Sequence, residues 1–266
     1  MEAKSQNFRY LNLPKQGYLF VITYGRSGST LTQNLLNSIP GYCIRGENAH
    51  VTSFLCRAIL ALERDENIKR RRALARRPNG TDRVLLRKMM GKPFDPWYGA
   101  ESINPTQFGR GLFNCFVRSC LNLPEGTRVG GFKEIRLPYA PDLFDSHLDI
   151  LRGYFPFTRF IFQTRDYATI SKSAWWASRD PEVTKSFLKS ADNLFLKYMN
   201  RHPDICFHLR YETYNEGPSA LKPLFKFLDE PFDAERIASI LAQKLTHAKP
   251  RALEGTGDPN KPGFAG

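Results

Sequence analysis

The stretch YLFVITYGRSGSTLTQNLL, residues 18–36, constrains this chain more than any other. Tyr18 to Thr23 is a short, continuous apolar run bounded by glycine, the pattern of a buried strand. Ser29 to Asn37 then sets Leu31, Leu35 and Leu36 at helical spacing, and Pro40-Gly41 ends the run. Between them lies Gly25-Arg26-Ser27-Gly28-Ser29-Thr30. A helix N-terminus presents unpaired N–H groups and the positive end of the macrodipole. Glycines let backbone approach an anion, and Ser and Thr hydroxyls add donors. Strand, glycine loop and helix therefore read as a phosphate cradle. An ordinary βα turn, using Gly and Ser for geometry alone, is the alternative.

The cradle is not that of a nucleotide triphosphatase. The pattern GxxxxGK[ST] is not met, and the cation comes early, as Arg26. No apolar strand ends in a convincing acidic Mg²⁺ ligand. The loop reads as built for a phosphate that needs no metal. A second anion-binding pattern follows the strand expected at Arg159–Thr164 (RFIFQT). Arg165 stands at its end and Ser173 eight residues on, within a helix expected over 166–177. That interval is about two turns, which sets Ser173 on the helix face of the residues near its start. Arginine offers a planar fork and serine a hydroxyl donor. Alone the pair is weak, since Arg165 could pair with Asp166.

Further strands are expected at 42–45, 128–135 and 205–210. Helices are expected at 50–62, 106–121, 143–151, 181–199, 218–229 and 233–246. Phe54, Ile59 and Leu62 are candidate core positions of the first of these. The stretch from there to Met90 is basic and poorly patterned, and 93–105 is loop-like. Strands alternating with helices predict a P-loop-like α/β fold, a parallel sheet flanked by helices. One domain, 1–266, is expected, with a helical insertion at about 48–125 carrying the acceptor side.

Taken together, the two anion motifs resemble those of the PAPS-dependent sulfotransferase family, in its RSGST-type bacterial and carbohydrate branch. PAPS is 3′-phosphoadenosine 5′-phosphosulfate. TYGRSGSTLTQNLL is similar to that family's 5′-phosphosulfate loop, and TRDYATISKS to its 3′-phosphate motif. IRGEN (44–48) sits where such members place a catalytic glutamate. PWYGA (96–100), GGFKEIR (130–136) and LRYETY (209–214) resemble further family segments. EGTGDPNK, in the tail, resembles the loop that closes over the nucleotide, but the tail is short and carries Asn260 before Lys261.

The resemblance implies PAPS as donor, PAP as product and no metal. It implies nucleotide contacts from Gly25, Arg26, Ser27, Gly28, Ser29, Thr30 and Leu31, from Arg165 and Ser173, and from Gly257 and Lys261. It implies Glu47 as general base and Arg26 as the cation on the breaking bond, with Lys133 a second cation. His50 is the runner-up base. The acceptor is a small molecule or glycan, by analogy a carbohydrate or other alcohol.

Composition narrows the rest. The net charge is +13, which attracts polyanions. Its densest part, Lys69-Arg70-Arg71-Arg72 with Arg76-Arg77, reads first as a solvated helix face. No nucleic-acid motif accompanies it, so no nucleic-acid partner is expected. A kinase or NTPase of the same class, a basic nucleic-acid binder and a silent PAP-binding relative are the competing readings. Five cysteines without CxxC exclude metal-finger spacing and argue against a disulfide framework. No membrane span or signal core is visible, so a cytoplasmic location is expected. The sequence leaves the oligomeric state open.

Overall fold

A computed structural model describes residues 8–77 and 84–243. Five parallel strands form one sheet in the order β2-β3-β1-β4-β5. They are β1 (Tyr18–Ile22), β2 (Tyr42–Arg45), β3 (Val129–Glu134), β4 (Arg159–Thr164) and β5 (Cys206–Arg210). The helices are α1 (Ser29–Asn37), α2 (Val51–Arg64), α3 (Glu66–Ala75), α4 (Val84–Met89) and α5 (Pro105–Phe116). They continue as α6 (Pro141–Tyr154), α7 (Tyr167–Ser171), α8 (Pro181–Arg201), α9 (Lys222–Leu228) and α10 (Ala234–Ala242).

The period of two along a strand sorts the core into two layers. Tyr18, Phe20 and Ile22 of β1, with Phe132, Phe160 and Phe162, face α2, α5, α6 and α8. Leu19 and Val21, with Ile161 and Leu209, face α1, α9 and α10. All five β1 residues are buried because both faces are covered, as parallel sheets require. β3 passes tightly against β1: a side chain at Gly131 would run into the carbonyl of Leu19.

Local chemistry sets the helix starts. Asp65 caps α3 by accepting from the N–H groups of Asn67 and Ile68. Asn104 and Asp180 cap α5 and α8, each followed by proline at the first helical position.

Several expectations are corrected. The helix expected over 166–177 is only α7; Lys172 ends it, Ser173 is extended (φ −110°, ψ 127°), and Ala174–Ser178 form a 3-10 turn. Tertiary bonds override helical propensity here, because Ser173 and Trp176 are both bonded to the loop that follows β1. The stretch read as unpatterned contains α3 and α4. Phe54 is exposed, whereas Ile59 is fully buried. The helix expected to Leu121 stops at Phe116 and closes in a π turn over Val117–Leu121.

Candidate active site

The site lies at the carboxyl edge of the sheet, where β1 runs into α1. Gly28 takes the left-handed conformation at the N-cap of α1 (φ 85°), and Arg26 does so as a non-glycine (φ 69°). A left-handed arginine costs about 1–2 kcal/mol and needs outside support. The support is three side chains bound to three successive loop carbonyls. Trp176 Nε1 donates to Gly25 O at 3.1 Å, Arg165 to Arg26 O at 3.1 Å, and Gln163 Nε2 to Ser27 O at 2.9 Å.

With its carbonyls engaged, the loop keeps its donors. Among the described residues, no acceptor engages the N–H groups of Arg26, Ser27 or Gly28. Ser27 Oγ is buried without a described partner. The N–H of Leu31, counted by sequence among the donors, is bound to Gly28 O at 2.9 Å, and its side chain sits in the core. Ser29 is buried and Thr30 exposed at the mouth of the loop.

The second motif meets the first. Arg26 Nε donates to Ser173 Oγ at 2.9 Å across 147 residues. Ser173 reaches the loop from an extended residue, not from the helix face the spacing suggested. Arg165 sits over the Tyr211 ring, its guanidinium carbon 4.0 Å from the ring centroid. Tyr211 also packs on Gly28, where a Cβ would overlap the ring. Glu212 stands 3.9 Å from Arg210 Nε and accepts from the N–H of Asp166 at 2.8 Å.

On the other side of the loop, β3 ends in Lys133 and Glu134, whose side chains leave on opposite faces. Lys133 Nζ lies 3.2 Å from Glu47 Oε1; the lysine is buried and the glutamate 39% exposed. Glu134 is buried and lies 3.2 Å from His50 Nδ1, and its Oε1 accepts from the Arg136 N–H at 2.7 Å. Burial opposes its ionisation, but His50, the Arg136 N–H and His147 outweigh burial and hold its carboxyl below the ordinary value. Ser53 Oγ links His50 to buried His147, at 3.4 and 3.1 Å from their Nδ1 atoms. Burial, with Glu134 opposing, pushes the His147 pKa down to about 4, so this imidazole is neutral.

Of the residues singled out by sequence, Arg26, Ser27, Arg165 and Ser173 share one constellation, with Glu47 and Lys133 paired beside it. Gly257 and Lys261 lie outside the described residues. Sequence reasoning missed Gln163, Tyr211 and Glu134. Gln163 had a signal: it is an amide inside an otherwise apolar strand, fully buried, and its carbonyl oxygen Oε1 also accepts from Thr32. Among the described residues no cluster of His, Cys, Asp or Glu is placed to hold a metal.

A parallel α/β sheet flanked by helices, with a glycine-containing loop running from the carboxyl end of β1 into α1, defines a P-loop-like protein. The Sulfotransferase family model matches residues 19–234, which spans both motifs and all five strands but for the first residue of β1. The chain belongs to the sulfotransferase family, and is a transferase acting on sulfuryl groups. Among solved structures it resembles the sulfotransferase domain of the Synechococcus PCC 7002 olefin synthase. The identity is 18%, the TM-score 0.51, and the match covers 88% of this chain and 80% of that one. The sulfotransferase domain from the curacin biosynthetic pathway matches at 16% identity and TM-score 0.46, over 83% and 76% of the two chains. Sulfotransferase STF9 from Mycobacterium avium matches at 17% and 0.44, over 87% and 68%. A comparison with curated proteins finds no match.

Proposed function

We propose that the chain transfers a sulfuryl group from PAPS to an acceptor hydroxyl, of a carbohydrate or another alcohol, without a metal. One observation carries the reading: two anion motifs far apart in sequence meet, with Arg26 bonded to Ser173 and Arg165 to the Arg26 carbonyl. The donor set fits a nucleotide carrying separate anionic groups. It holds two guanidinium groups, a hydroxyl, loop N–H groups without described acceptors and a buried, orphaned Ser27 Oγ. PAPS supplies the sulfuryl group and leaves as PAP. The loop N–H groups, with Ser29 and Thr30, hold the 5′ phosphate, and Arg165 and Ser173 hold the 3′ phosphate. Gly257 and Lys261 are proposed to close over the nucleotide.

Arg26 meets the negative charge that grows on the leaving phosphate as its bond to sulfur breaks. Glu47 accepts the proton from the acceptor hydroxyl, whose oxygen forms the new bond to sulfur. One of its oxygens holds Lys133 Nζ, which aims the ammonium at the transferring group; the other is left for the acceptor. His50, held by Glu134, is the second group on the acceptor side able to take a proton.

The test is calorimetric titration with PAP in EDTA, with adenosine 5′-phosphate as control. PAP is expected to bind more tightly, and Arg165→Ala or Ser173→Ala to remove the preference by tenfold or more. Equal affinity for both nucleotides would refute the reading. With an acceptor in hand, Glu47→Gln is expected to lower kcat at least a hundredfold and leave PAP affinity unchanged; a silent PAP-binding protein would show no activity to lose.

A further inference from the structure

The insertion beyond α2 carries a surface that the sulfuryl-transfer site does not use. α4 has no buried residue, and Val84 and Leu85 are 52% and 78% exposed. Phe94 and Tyr98, in the segment that follows, are 71% and 61% exposed. A six-residue helix without a buried face gains almost nothing from the core, and such short helices are marginal alone. Exposed apolar side chains in this number mark a contact surface.

The same face is basic. Arg70, Arg76, Arg77, Lys88 and Lys92 are all exposed. Of the acids nearby, Glu66 is paired with Lys69, and Asp95 is buried against Arg71 at 2.6 Å. The apolar and basic groups belong to one unit. The Arg71–Asp95 pair ties α3 to the 92–98 segment, and Arg71 also lies over the Trp97 ring. Arg87 ties α4 to the end of α3 through the carbonyls of Leu74 and Arg77. Arg70 shares a groove with Val84, Leu85 and Leu86.

We propose that this face of α3, α4 and the 92–98 segment docks the enzyme on an anionic lipid bilayer. Nucleic acid or an acidic glycan would reward the cations but not exposed Leu85 and Val84. A bilayer interface rewards both, because apolar side chains enter the acyl boundary while lysine and arginine reach headgroups. Trp97 and Tyr98 are the side chains expected at headgroup depth, with Phe94 beside the apolar groups of α4. α2 runs from His50 at the candidate site to Asp65 at the start of α3, about 21 Å. The surface is therefore a recruiting face set apart from the nucleotide site, and it does not depend on which donor or acceptor that site takes.

The test is co-sedimentation of the full chain with vesicles. Phosphatidylcholine vesicles alone are compared with vesicles containing about a third phosphatidylglycerol. Binding is expected only to the anionic vesicles. Leu85→Asp, and separately Arg76→Glu with Arg77→Glu, are each expected to weaken it at least tenfold. Both variants alter exposed side chains, so thermal melting and PAP affinity should match the parent. Absence of binding to anionic vesicles would overturn the proposal. So would binding that Leu85→Asp leaves intact, or retention on heparin or RNA equal to that on vesicles, since either result marks a plain polyanion surface.

Discussion

Replacing Gly28 by alanine tests how the loop is held, because it challenges a backbone conformation and a packing contact at one position. Gly28 has φ 85°, and the new Cβ would overlap the Tyr211 ring. The left-handed backbone costs alanine about 1–2 kcal/mol. Lower entropy of the unfolded chain returns about 0.4–1 kcal/mol. Moving the ring costs about 1–3 kcal/mol as overpacking. The net expectation is a loss of about 1–5 kcal/mol, read as a lower urea midpoint at unchanged m-value.

The displacement should also reach the nucleotide. Tyr211 carries Arg165 on its face, and Arg165 holds the Arg26 carbonyl. PAP affinity is therefore expected to fall about tenfold or more in Gly28→Ala, since about 1.4 kcal/mol suffices for that factor. The double variant Gly28→Ala/Tyr211→Ala separates the two causes. With the ring gone, the steric part vanishes and only the backbone part remains. The double variant is expected to be about 1–3 kcal/mol more stable than the sum of the single losses requires. Additivity within about 0.5 kcal/mol would refute the reasoning, because the ring would then not be the obstacle.

Three further outcomes are expected. Gln163→Leu strips a partner from the Ser27 carbonyl while sparing the Thr23 bond to the Gln163 main chain, and should cost about 2–4 kcal/mol in urea unfolding and weaken PAP; a neutral result would remove Gln163 as the loop's anchor. His147 binds a proton near 6.5 when unfolded and near 4 when folded, so its share of stability is whole above pH 6.5 and drains away as pH falls toward 4. That share is at most about 3 kcal/mol, and His147→Gln should flatten unfolding free energy against pH over that interval. Glu134, whose folded carboxyl is held below its ordinary value of 4.5, contributes stability that is whole above that value and is lost as pH falls further; because its charge also opposes the His147 shift, Glu134→Gln should steepen the loss between 6.5 and 4 that His147→Gln flattens. Asp95→Asn leaves Arg71 without its charge partner and should lower the urea midpoint at unchanged m-value; an unchanged midpoint would show that the pair does not brace this segment.

The positions of the strands and the cradle were legible because each rests on a local pattern. Five apolar runs, two ending in phosphate motifs, give a parallel sheet once helices lie between them. What the sequence hid is what depends on distant neighbours. Ser173 was read at helical spacing from Arg165, yet it reaches Arg26 because Trp176 and Gly25 bind across 151 residues and unwind the segment between α7 and the 3-10 turn. Glu134 carries no signal of its own beside Lys133; only the sheet's alternation, with α2 and α6 packed on one face, gives it His50 as a partner. Tyr211 sits in a motif noted for its likeness to family members, but its work lies in two contacts, with Gly28 and with Arg165, that no spacing encodes. The cradle's left-handed arginine is thus a tertiary property. Arg165 holds the Arg26 carbonyl beside the bonds from Trp176 and Gln163, so the residue proposed to bind one phosphate also helps to shape the loop proposed to bind the other.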